Sequence, residues 1–212
     1  MRNNDLLMKS SYLFILLLIA IAGFVFYTLS GGGESDEQYT QTIQKEREEK
    51  DAFMKGDESP FTDSTETFTG LNYFPPDLKY RVVADLEPVE NKKVVVLATS
   101  DGLEQKYLEY AYARFSLDGV NNKLLILEVM DMGPQRGKLF LAFADATSAS
   151  ETYGAGRYLD VKKVPGASSV TLDFNQAYNP YCAYSDAFSC PFPPKENILK
   201  IAIKAGEKSY HE

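Results

Sequence analysis

Residues 80–102 read YRVVADLEPVENKKVVVLATSDG, and this stretch decides the fold class. Tyr80, Val82, Ala84 and Leu86 alternate with Arg81, Val83, Asp85 and Glu87. A period of two places one set on a buried face and the other in water, which is the pattern of a half-buried strand. Residues 93–98 (KVVVLA) are a short β-branched run, and Asp101-Gly102 is a hairpin signal. Working downstream, residues 105–117 are Tyr-rich with partial alternation, and Asp118-Gly119 marks another turn. Residues 123–130 and 138–143 are nearly continuous apolar strands around a turn at 132–137. Val170, Leu172 and Phe174 then alternate with Thr171, Asp173 and Asn175, and Leu199, Ile201 and Ile203 with Lys200, Ala202 and Lys204. Turn signals recur roughly every ten residues, which predicts a mainly β, antiparallel barrel or sandwich of about eight strands.

Upstream the composition changes. Residues 12–29 (YLFILLLIAIAGFVFYTL) carry no charge, and their 18 residues reach about 27 Å as a helix. Arg2 and Lys9 precede them, while Glu34, Asp36 and Glu37 follow. This predicts a cytoplasmic tip and single transmembrane anchor over 1–29, with the C-terminal part extracytoplasmic at the inner membrane. A cleaved signal peptide is the competing reading, and it exports the same domain. Ser30-Gly31-Gly32-Gly33 opens a linker over 30–60 that carries a polar helical stalk, docking late through Phe53 and Met54. The β domain then occupies 61–212.

The chain has 22 Lys and Arg against 30 Asp and Glu, a formal charge of −8. With no basic stripe, nucleic acid is excluded as a partner. The single histidine, His211, sits beside the C-terminal Glu212. Histidine-dependent nucleophile systems and typical zinc sites therefore lack their imidazole, and neither metal nor cofactor is expected.

Residues 151–194 hold both cysteines, five of the ten prolines and a dense set of polar and aromatic side chains. ETYGAGRYLD (151–160) has two glycines that allow close approach, but no third glycine and no βαβ unit, so it is not a dinucleotide fingerprint. Alternation turns Asp173 and Asn175 to a common side if Leu172 and Phe174 face the core. Glu151 and Asp173 are the candidate acid–base pair of a hydrolase-type reaction. Tyr153, Arg157, Tyr158, Asn175, Tyr178 and Asn179 are the candidate contacts for a small polar ligand or partner. The same residues could instead be a structural clasp that pins a long loop to the sheet. Cys182 and Cys190 enclose seven residues. In an exported domain they are expected to form a disulfide, worth about 2.5 kcal/mol in a chain-entropy account.

ETYGAGRYLD, LDFNQAYNPYCAY, SCPFPPKEN and IKAGEK, with KDAFMKGDESP, FTGLNYFPPDLKYRV and FADATSASETYG upstream, resemble the bacterial and archaeal domain-of-unknown-function family 1684. The resemblance spans about residues 46–208. It implies that Glu151, Tyr153, Gly154, Gly156, Arg157, Tyr158, Asp173, Asn175, Tyr178, Asn179, Cys182 and Cys190 belong to one shared motif, and it implies no reaction. Ser148-Ala149-Ser150 stands where members more often show a Ser-Gly pair. The expectation from the whole chain is a membrane-anchored, extracytoplasmic β domain that binds through residues 151–194.

Overall fold

The computed structural model describes residues 35–62 and 68–210. The expected span at 12–29 lies outside them, and among the described residues no helix is long and apolar enough to cross a membrane. Among the described residues one α-helix, α1 (Asp36–Met54), precedes seven strands: β1 (Arg81–Pro88), β2 (Val94–Ala98), β3 (Glu104–Leu117), β4 (Val120–Val129), β5 (Leu139–Phe143), β6 (Arg157–Val161) and β7 (Ser169–Asp173).

All strand pairs are antiparallel, in the order β6-β5-β4-β3-β1-β7, with β2 on β3. β3 serves two partners along one edge. Residues 104–108 pair with β2 and residues 111–114 with β1. Tyr110 falls at the changeover, in a bulge between Glu109 and Ala111 that bends the strand. Asp118 and Gly119 both take positive φ, 50° and 77°, so the β3–β4 hairpin closes as the Asp-Gly pair predicts.

The sheet curls into a half-barrel rather than a flat sandwich. Asn197 shows why. β4 and β5 pair through Leu127–Phe140 and Glu128–Leu139, and the ladder then stops. Two residues on, the Asn197 amide sits between Leu125 and Ala142. Its Oδ1 accepts from Leu125 N–H at 2.6 Å, and its Nδ2 donates to Leu125 O at 2.9 Å and Ala142 O at 2.8 Å. A side chain thus replaces a rung of the ladder, and the strands part around it.

β4 reads as a continuous apolar run because both of its faces are covered. Leu124 and Ile126 enter the main core with Ala84, Leu141, Phe143, Leu159, Leu172 and Phe174. Leu125 and Leu127 face a second cluster with Leu97 and Tyr107. The far edges meet at one point, where Tyr158 N–H donates to Tyr178 O at 2.8 Å and Tyr178 N–H to Tyr158 O at 3.0 Å.

Three expectations are corrected. Among the described residues the strands number seven, against about eight expected. Residues 199–203 bury Leu199 and Ile203 as expected but form no strand. They run beside residues 144–146, with Leu199 N–H on Ala144 O, and Arg157 occupies the Ile203 carbonyl. Conversely β6 lies within what the sequence presents as a loop. Its polar residues conceal a strand with only Asp160 exposed. The polar helix exists, but from Tyr39 onward it packs into the same compact unit as the sheet. Ser35 and Gln38 cap it reciprocally, each backbone N–H at 3.2 Å from the other's side chain. Tyr39, Ile43 and Met54 are buried, while Phe53 is 43% exposed.

Ala149 adopts φ 63°, in the left-handed region. The chain accepts that geometry because Ala149 N–H bonds Thr152 O at 3.0 Å.

Replacing Asn197 by Ala is expected to cost about 3 kcal/mol, since it strands a buried N–H and two carbonyls. Asn197→Asp is expected to cost at least as much, because it turns the carbonyl-facing donor into an acceptor. Urea unfolding checks both; a loss below about 1 kcal/mol in either variant would rule out the wedge as a structural element.

Candidate functional site

The site region is assembled by two buried polar clusters. In the first, Arg157 is 1% exposed and its Nη2 lies 2.7 Å from Asp145 Oδ2. The guanidinium also donates to the carbonyls of Ile203 (2.9 Å), Glu207 (3.2 Å) and Ala205. Asp145 receives Thr147 N–H at 2.7 Å, Thr147 Oγ1 at 2.6 Å and Ile203 N–H at 3.3 Å. Gly156, just before Arg157, has φ 91°, and a Cβ there would lie 2.6 Å from Phe143 O. Only glycine lets β6 come so close to β5.

In the second cluster Glu207 is fully buried. It accepts from Lys50 Nζ at 2.8 Å, Asn179 N–H at 3.1 Å, Asn179 Nδ2 at 3.2 Å and the Tyr184 hydroxyl. Gly206 precedes it with φ 73°, and a Cβ there would meet Ala177 O at 2.6 Å.

These clusters dock α1. Its inward stripe is Tyr39, Ile43, Arg47, Lys50 and Met54, at helical spacing. Arg47 lies 4.4 Å over the Tyr73 ring, and Lys50 4.8 Å from the Tyr178 ring. Tyr39 donates to Asp173 at 2.8 Å and 3.0 Å, and Asp173 also caps the turn after β7 by accepting Asn175 N–H at 3.1 Å. Asn175 in turn holds the backbone of Asp77 through both N–H and C=O.

Between α1 and residues 176–191 lies an open cleft of about 540 Å³. Lys50, Tyr158, Asp160, Tyr178, Tyr181 and Phe188 line it. Tyr181 and Phe188 meet edge to face at 5.1 Å, with Tyr181 37% exposed. The Tyr178 hydroxyl donates to Asp160 at 2.9 Å, and the Tyr158 hydroxyl to Pro191 O at 2.7 Å. Burial raises the pKa of Tyr39, Tyr158, Tyr178 and Tyr184 above the ordinary phenol value, and nearby carboxylates add to it for Tyr39, Tyr178 and Tyr184.

The sequence-derived candidates thus divide. Tyr158 and Tyr178 line the cleft. Arg157, Asn175 and Asn179 are used inside the fold as a clasp. Asp173 holds the helix. Glu151 stands apart, paired with Lys204 at 2.8 Å and lining a different hollow with Asn72, Tyr73 and Lys208. Glu151 and Asp173 share no partner among the described residues. Cys182 and Cys190 are free thiols rather than the expected disulfide, and the Tyr153 hydroxyl lies 3.8 Å from Cys182 Sγ. Lys50, Asp145, Asp160, Tyr184 and Glu207 were not legible as site residues. The one usable signal was the four-residue recurrence of Tyr39, Ile43 and Arg47, leading to Lys50 and Met54.

The sequence profile of a family described as "Protein of unknown function (DUF1684)" matches residues 66–208. A solution NMR structure of an uncharacterised protein from Haloarcula marismortui is 38% identical, with a TM-score of 0.61. That likeness covers 83% of this chain and 97% of the archaeal one. No curated protein is similar to this chain.

The buried phenols set an alkaline limit. A group whose folded pKa is raised contributes stability that is intact below the unfolded value, near pH ~10 for Tyr, and is lost as pH rises towards the folded value. The melting temperature is expected to fall steeply above pH ~10. A flat profile through about pH 11 would show that these hydroxyls are not buried as described.

Proposed function

We propose a ligand-binding role for this chain, which belongs to the DUF1684 family of proteins of unknown function. The ligand is a small polar molecule with one flat or apolar face, held in the cleft between α1 and residues 176–191. The observation that carries this reading is the division of labour among the polar residues. Arg157, Asn175, Asn179 and Glu207 use most of their hydrogen-bonding atoms inside the fold, whereas Tyr181 and Phe188 keep surface towards the cleft beside Asp160 and Ser189. Aromatic walls with a few polar groups are the usual make-up of a small-molecule site, and about 540 Å³ is within the usual range. The aromatic rings supply contact area, and Asp160 and Ser189 supply orientation. The clasp reading is absorbed here: the motif's buried charges build the wall that the ligand meets.

Residues 12–29 are read as the tether of this module, which places the cleft outside the cytoplasmic membrane. The full chain is expected to sediment with membranes and to be digested by protease added to spheroplasts. Recovery in the soluble cytoplasmic fraction would sink the tether.

Binding is tested by thermal shift against sugars, nucleosides and amino acids. At least one compound is expected to raise the melting temperature, and Tyr181→Ala and Phe188→Ala are expected to remove that shift while leaving the unliganded melt within about 2 °C. If no compound acts, or if both variants respond like the parent, the cleft is not the site.

A further inference from the structure

We propose that Cys182 and Cys190 form a thiol–disulfide exchange site, in which Cys182 attacks an incoming small-molecule disulfide and Cys190 resolves the mixed disulfide. Their placement supports these separate roles. The two thiols hydrogen-bond each other, and the Cys182 N–H donates to Cys190 Sγ at 3.1 Å. Cys182 is half-buried and lies outside the cleft lining, whereas Cys190 is 7% exposed and belongs to that lining. Of the two residues, Cys182 keeps the larger exposed fraction. The Tyr153 hydroxyl stands 3.8 Å from Cys182 Sγ, and Ser100 Oγ accepts the Cys190 N–H at 3.1 Å.

The chemical asymmetry runs the same way. Donation from the Cys190 thiol, aided by Tyr153 and Ser100, lowers the pKa of Cys182. That hydrogen bond holds the proton on Cys190 and, with burial, raises its pKa. The thiolate is the nucleophile in exchange, so Cys182 is the more reactive of the two.

The step balances without any further reactant. The Cys182 thiolate attacks one sulfur of R–S–S–R, forming the Cys182–S–S–R bond and expelling R–S⁻. Cys190 loses its proton to that leaving thiolate and attacks Cys182 Sγ. The second R–S⁻ departs and takes up the proton that Cys182 had released. The dithiol is oxidised by two electrons to an internal disulfide, and the small disulfide is reduced to two thiols. The seven residues so enclosed include Tyr184, bonded to Glu207, and Phe188 of the cleft wall. Exchange is chemically independent of what the cleft binds, so it stands or falls separately from the binding reading.

The test uses the full chain in mild detergent with an aromatic disulfide whose released thiolate is coloured. The parent is expected to release two coloured thiolates per chain and to end about 2 Da lighter than the dithiol, with no adduct. Cys190→Ser should release one thiolate at nearly the parent's initial rate and retain one adduct on Cys182. Cys182→Ser should react at least about tenfold more slowly. The proposal is overturned if the parent keeps two adducts, if the folded parent does not react, or if Cys182→Ser matches its rate.

Discussion

The ion pair between Arg157 and Asp145 is the constraint on which the site region rests. Both side chains are removed from water, at 1% and 0% exposure. Desolvating each ion costs several kcal/mol, and the mutual attraction offsets that only when the remaining donors and acceptors are also filled. Here they largely are. Asp145 takes four donors, and Arg157 gives to three backbone carbonyls in addition to the carboxylate. The pair's contribution is therefore one of arrangement more than net stability. It fixes residues 203–207 against β6, and that fixes where Glu207 lies.

Glu207 carries the arrangement outwards. Held beside Ala177 by its own N–H, at 2.9 Å, it presents a buried carboxylate to Lys50, Asn179 and Tyr184. Those three residues come from the helix, from the turn after β7 and from the loop between the cysteines. One buried anion thus sets the distance between the two walls of the cleft. The aromatic residues that face into the cleft can stay partly exposed because the polar network behind them, not their own packing, holds the walls apart.

Strands were legible wherever burial is one-sided. Val82, Ala84 and Leu86 face the core and Val83 is 69% exposed, as alternation demands. β4 was legible for the opposite reason, since both its faces are covered. β6 was not, because Arg157 is a charged residue at a core position and its partner Asp145 lies in another segment. Lys200 and Lys204 point outwards as the alternation of residues 199–203 requires, yet no strand forms, since backbone partners are not encoded in side-chain period. The inward face of α1 was hidden because Arg47 and Lys50 are packed against tyrosine rings, and a count of apolar residues scores them as solvent. Asn197 gave no signal at all. An amide that replaces a ladder rung looks in sequence like any polar residue before a strand-like run.

Residues 197–207 have a consequence for the order of assembly. They reach Leu125 and Ala142 in the sheet, Ala144 and Asp145 beyond it, Arg157 in β6 and Lys50 in the helix. Helix α1 precedes the sheet in the chain, yet its anchors are Asp173, at the end of β7, and Glu207, beyond it. The contacts that dock the helix are therefore of large sequence separation. Sheet curvature, helix docking and cleft all depend on the same segment, and each of those contacts carries the loop-closure entropy of a long separation.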